Sequence, residues 1–94
     1  MAKFVMLTTL THEGNKTLRD KPERLREVNR EVEAMGAKVL VQYALLGPYD
    51  FINILEARSN EDMTRIALAL GARGTMQTLT LAAIEIEELL RNLK

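Results

Sequence analysis

Apolar residues along this chain switch between a two-residue rhythm and a three-to-four-residue rhythm, and the switches mark out its elements. From Phe4 to Thr11, Val5, Leu7 and Thr9 alternate against Phe4, Met6, Thr8 and Leu10. That apolar, β-branched run predicts a strand. Asn15 to Asp20 predicts a short turn of helix. Asp20-Lys-Pro-Glu23 then reads as a helix start: a carboxylate for a free backbone N–H, a proline tolerated in the first turn, and an acidic residue at the positive end of the dipole. Leu25, Val28, Val32 and Met35 follow as one apolar stripe that stops at Gly36. The opposite face, Arg24, Glu27, Arg30, Glu31 and Glu33, is a solvated charged surface.

Lys38 to Leu46 and Tyr49 to Ala57 predict two strands joined by a turn at Gly47-Pro48. Ser59 or Asn60 then caps a helix with Met63, Ile66, Ala67 and Leu70 on its apolar stripe, which ends in Gly71-Ala-Arg-Gly74. Thr75 to Ala83 predicts a fourth strand, and Ile86, Leu89, Leu90 and Leu93 recur at helical spacing in a short C-terminal helix.

The order strand, helix, strand, strand, helix, strand is the split βαβ, ferredoxin-like pattern, an α+β domain expected to span residues 1–94. Right-handed crossovers put both main helices on one face of a four-stranded antiparallel sheet. The other face of a lone sandwich should be polar. Here both faces of the first three strands carry large apolar residues: Val39, Val41, Tyr43 and Leu45 against Leu40, Ala44 and Leu46, and Phe51 and Leu55 against Ile52 and Ile54. Whichever set meets the helices, the other is an apolar patch of a kind monomers rarely leave wet. The expectation is a homodimer with two sheets face to face, a dimeric α/β barrel. Thr8 or Thr9, Gln42, Asn53, Gln77, Thr78 and Thr80 would then line an inter-sheet cavity or bond across the interface, with the C-terminal helix capping the partner.

Composition narrows the function. Thirteen basic and thirteen acidic residues leave no net charge to attract nucleic acid or an anionic membrane. With no cysteine and a single histidine, His12, neither a thiolate nor a histidine-rich metal site can form within one chain. No metal or other cofactor is expected. No membrane-span or signal-peptide pattern is present, so a cytoplasmic location is the default. A chain of 94 residues buries only a thin core, and with disulfides and metals excluded, self-association is the support that remains.

The most distinctive local stretch is Gly47-x-Tyr49-Asp50. With Thr11-x-x-Gly14, Pro22-x-Arg24, Gly47-Pro48-Tyr49-Asp50-Phe51, Leu68-Ala-Leu-Gly71-x-x-Gly74 and Thr78-x-Thr80, it makes the chain resemble the GYD domain family nearly end to end. Pro48 departs from a bare Gly-Tyr-Asp. The resemblance implies a fold of the dimeric α/β-barrel group, in a family of undetermined function, and so adds little chemistry. The region around Tyr49 and the stretch from Gly74 to Thr80 also resemble the small-molecule-sensing domain of Lrp/AsnC-type regulators, without their DNA-binding helices.

Candidate site residues each have two readings. Tyr49 and Asp50 either shape a hairpin turn, with Asp50 accepting backbone N–H groups, or join His12 as an acid/base set at a cavity mouth. Arg73, between two glycines, either holds an anion or faces solvent. Tyr43, Asn53, Thr78 and Thr80 are candidates for lining a ligand cavity. No phosphate-cradling loop, dinucleotide fingerprint or nucleophile elbow is present. Three functions follow: a homodimer binding a small, partly apolar metabolite between its sheets, a small cofactor-independent oxygenase or isomerase using the same cavity, or a structural assembly module.

Overall fold

A computed structural model describes residues 1–94. Its elements run β1 (Ala2–Leu10), α1 (His12–Asp20), α2 (Arg24–Ala34), β2 (Lys38–Ala44), β3 (Phe51–Ala57), α3 (Asn60–Gly71), β4 (Met76–Ala83) and α4 (Ile86–Asn92). The sheet order is β2-β3-β1-β4, and every neighbouring pair is antiparallel. This is the ferredoxin-like arrangement that the element order predicts.

The strand alternation decides which residues form the core. Phe4, Met6 and Thr8 of β1 and Phe51, Asn53, Leu55 and Ala57 of β3 are buried, and their odd–even neighbours are half-exposed. Met63, Ile66 and Leu70 of α3 pack on this side, whereas α2 adds only Val32 to the buried set. The core is therefore concentrated under α3. Only 13 of the 94 residues are buried, so hydrophobic burial within one chain is limited. No helix is long and apolar enough to cross a membrane.

The helix boundaries differ from the sequence reading in two places. The first helix is a full α1, because the Thr11 hydroxyl accepts the Gly14 N–H at 3.2 Å and caps it at His12. Asp20 does not cap the next helix. Its carboxylate pairs instead with Arg19, and α2 begins after a turn in which the Arg24 and Leu25 N–H groups donate to the Lys21 and Pro22 carbonyls. At the far end Gly36, with φ +107°, closes α2 as predicted: the Ala37 N–H donates to Val32 O and the Gly36 N–H to Glu33 O. Ser59 caps α3 by accepting the Asp62 N–H at 3.1 Å.

A bulge between Val39 and Val41 changes the faces of β2. It returns Gln42 to the helix side, opposite Asn53, and turns Val41 and Tyr43 to the helix-free side, opposite Ile54 and Ile52. β2 also ends earlier and β3 begins later than predicted, so the connection runs from Leu45 to Asp50 and is closed by a 2.8 Å bond from Leu45 N to Asp50 O.

The motif stretches that are far apart in sequence meet at one end of β1. Thr11 N donates to Thr75 O at 3.0 Å and Thr11 Oγ1 to Gly74 O at 2.8 Å. A Cβ on Gly14 would lie 1.9 Å from the Thr75 carbonyl oxygen, which is backbone and cannot swing aside. Gly14→Ala should therefore lower the unfolding free energy by about 1–3 kcal/mol, the range for overpacking. Gly71→Ala, at a helical glycine with nothing within 4 Å, should be neutral or stabilising. Urea titration of both variants checks the contrast; equal effects would place the close approach elsewhere.

Candidate functional site

The helix side of the sheet is not fully packed. Between it and α1 and α2 lies a cavity of about 280 Å³. This is just below the roughly 300–1,000 Å³ of small-molecule pockets. The cavity arises from the sequence of the sheet at this point. Thr8, Gln42 and Asn53 stand where apolar side chains would otherwise fill the space under α2, and Leu25 and Val28 of α2 remain only half-buried along its wall.

Its polar floor is a connected set of amides. Asn29 Nδ2 donates to Gln42 Oε1 at 2.9 Å and Gln42 Nε2 returns a bond to Asn29 Oδ1 at 3.2 Å. Gln42 Nε2 also donates to Asn53 Oδ1 at 2.7 Å, and Asn53 Nδ2 reaches Met6 O at 3.3 Å and Thr8 Oγ1 at 3.5 Å. Asn53 and Thr8 are 7% and 4% exposed, so this end of the floor lies in low dielectric, where the short Gln42–Asn53 bond fixes orientation. The walls are aliphatic, from Leu10, Leu18, Val39, Leu55, Leu70 and Met76 among others.

At the rim, Glu31 of α2 bridges two guanidinium groups. Arg24 Nη1 lies 2.8 Å from Glu31 Oε1 and Arg73 Nη2 lies 2.6 Å from Glu31 Oε2. Arg24 and Arg73 both line the cavity. The wall holds no carboxylate, imidazole or phenol.

The structure separates the candidates named from sequence. Asn53 and Arg73 line this cavity. Thr78 and Thr80 face the same side of the sheet, in an open groove between β4 and α3, where Thr80 Oγ1 is buried without a partner. Gln42, Asn53, Thr8, Thr78 and Thr80 were expected between two sheets; strand alternation and the β2 bulge put them under the helices instead, leaving only Thr9 and Gln77 on the helix-free face. Tyr43 is 64% exposed on that same helix-free face, on an edge strand.

His12, Tyr49 and Asp50 do not line the cavity. His12 is the exposed first residue of α1. Asp50 Oδ2 accepts the Leu10 N–H at 2.7 Å, and its own N–H donates to Thr8 O at 2.8 Å, which ties the β2–β3 connection to the end of β1. Gly47 turns that connection with φ +132°. Gly47 and Asp50 of the Gly-x-Tyr-Asp stretch thus shape this connection and fasten it to β1. Arg24, Asn29 and Glu31 were missed from sequence as site residues. Arg24 and Glu31 read as part of a solvated helix face, Asn29 carries no local signal, and only their position at the cavity distinguishes them.

A four-stranded antiparallel sheet with helices on one face places the chain among ferredoxin-like α+β proteins, and solved structures agree. MtbAldR superposes with a TM-score of 0.67 at 20% identity over 89% of this chain, which spans 52% of that protein. FFRP-DM1 gives 0.60 at 23% identity, covering 89% of this chain and 100% of that one. The hypothetical protein PHS023 from Pyrococcus horikoshii gives 0.58 at 23% identity, covering 90% and 92%. These likenesses establish the fold alone.

The chain belongs to the GYD domain family, whose model matches residues 4–93. It is also 46% identical, over 95 aligned residues covering 100% of both chains, to a Thermus thermophilus protein named "glutamine synthetase and cystathionine beta-lyase binding protein".

If Asp50 is a structural tie, Asp50→Ala should cost about 1.5–3 kcal/mol, the usual worth of a hydrogen bond to a charged group. His12→Ala should stay within about 0.5 kcal/mol of the parent, as an exposed site. Chemical denaturation of the two variants gives the comparison.

Proposed function

We infer that this protein is a non-catalytic binding protein: a homodimer that docks on metabolic enzymes and holds a small, partly apolar metabolite in the cavity beneath its helices. The observation that carries docking is the full-length likeness to a relative named for binding glutamine synthetase and cystathionine β-lyase. Partners of that kind are accordingly the first to test.

Support for a second copy on the sheet comes from the helix-free face. Val5, Leu7, Ile52 and Ile54 are half-exposed there, and Val41, Leu79 and Leu81 are 39%, 46% and 47% exposed. Strands of about seven residues at ~3.3 Å, four across at ~4.8 Å, make a face of roughly 23 by 19 Å. That is about half of the roughly 800 Å² that a standard interface buries on each partner. The C-terminal helix extends the same argument. None of α4 is buried, and Ile86, Leu89, Leu90 and Leu93 are 66%, 39%, 46% and 71% exposed. A Lys3–Glu85 ion pair ties its start to the beginning of β1, a central strand. The hydrogen bond and charge of each partner hold the Glu85 carboxyl below, and the Lys3 ammonium above, their ordinary values. A helix tethered at its start with its apolar stripe uncovered is suited to grip a neighbouring copy.

Metabolite binding fits the cavity wall, where amides, hydroxyls and guanidinium groups can orient a ligand.

Sedimentation velocity at micromolar concentration should give twice the 10.6 kDa chain mass, and Leu81→Glu should shift the protein to monomer. Purified glutamine synthetase and cystathionine β-lyase from the same organism should each co-elute with the parent protein in size-exclusion chromatography. A parent that sediments as a monomer ends the dimer reading; failure to co-elute with either enzyme ends the docking reading.

A further inference from the structure

We propose that the cavity beneath α1 and α2 takes a small carboxylic acid with a compact apolar body, whose carboxylate replaces Glu31 between Arg24 and Arg73. The proposal rests on the metabolite-binding reading and names its ligand class. Three observations carry it.

The first is the rim. Two guanidinium groups, from α2 and from the turn after α3, converge on one carboxylate, each committing few of its five donors to Glu31. Planar guanidinium forks recognise carboxylates by paired hydrogen bonds. Glu31 already occupies this clamp as a carboxylate would, and its side chain is 38% exposed, so it can swing into water. Ion pairs so exposed hold weakly, which makes exchange for a ligand carboxylate inexpensive.

The second is the wall. Below the rim the lining is mostly aliphatic and the space small. An apolar body of a few carbons gains burial there, whereas a nucleotide or haem exceeds the volume. The third is the floor. Thr8 is 4% exposed, and its hydroxyl takes part only in a long 3.5 Å bond from Asn53. A buried hydroxyl so weakly engaged has hydrogen-bonding capacity left for a ligand oxygen.

Glu31 is then an internal competitor, and this separates the proposal from a merely structural ion-pair cluster. Isotope-labelled full-length protein is titrated with isocaproate, and separately with isocaproamide, which has the same body without the charge. Backbone and side-chain amide signals are followed by NMR. Isocaproate should shift the Gly14, Asn29, Arg73 and Thr75 signals and the side-chain amides of Gln42 and Asn53, and bind about threefold more tightly than the amide, the scale of a part-exposed ion pair. Arg24→Gln and Arg73→Gln should each weaken isocaproate about threefold and leave the amide unchanged. Glu31→Gln should strengthen it several-fold and leave the amide unchanged.

Equal affinity for acid and amide overturns the carboxylate class. Shifts confined to the helix-free strand face overturn the location, and weaker isocaproate binding by Glu31→Gln overturns the exchange. Absence of any shift with both probes overturns the proposal. Sedimentation and enzyme co-elution on the same samples show independently whether the dimer and docking readings stand.

Discussion

Each central strand of this sheet carries large apolar side chains on both faces, while one chain supplies helices for only one of them. The rest of the structure depends on that mismatch. Phe4, Met6, Phe51 and Leu55 are buried on the helix side; Val5, Leu7, Ile52 and Ile54 pair across the strands and stay half-exposed. With so few residues buried, the second apolar layer is a large fraction of the hydrophobic stabilisation available to the polypeptide. Covering it with an identical face satisfies both copies by one symmetric operation.

The helix-covered side obeys a different constraint. It has apolar residues enough to build a core under α3, but polar ones under α2. Thr8, Gln42 and Asn53 bond to one another and to Asn29, so the space above them is shaped by hydrogen bonds. Buried polar groups that satisfy each other cost little in stability and fix geometry closely. That combination, a rigid polar floor with aliphatic walls, suits selective binding better than it suits packing.

The fold was largely legible in the sequence, because strand and helix periods differ and the caps and glycine stops are local. The apolar stripe of Leu25, Val28 and Val32, the Ser59 cap and the Gly36 stop each act through neighbours a few residues away. What was not legible depends on long-range register. The bulge in β2 has no local signature, yet it decides that Gln42 faces the helices and Tyr43 does not. Asp50 was readable as a turn residue, but its bond to Leu10 N crosses 40 positions of sequence. Arg24 and Glu31 looked like an ordinary charged helix face, since their partner Arg73 comes from a distant turn. Alternation alone left the helix-facing set of each strand undetermined, which is why the polar strand residues were expected between sheets.

The central claim, that the helix-free strand face is closed by the same face of a second copy, is tested most directly by isotope-filtered NMR on an equal mixture of labelled and unlabelled chains. The account predicts cross-subunit contacts among the methyl groups of Val5, Leu7, Ile54, Leu79 and Leu81. Contacts only within one chain, with those methyls open to a soluble paramagnetic probe, would contradict it.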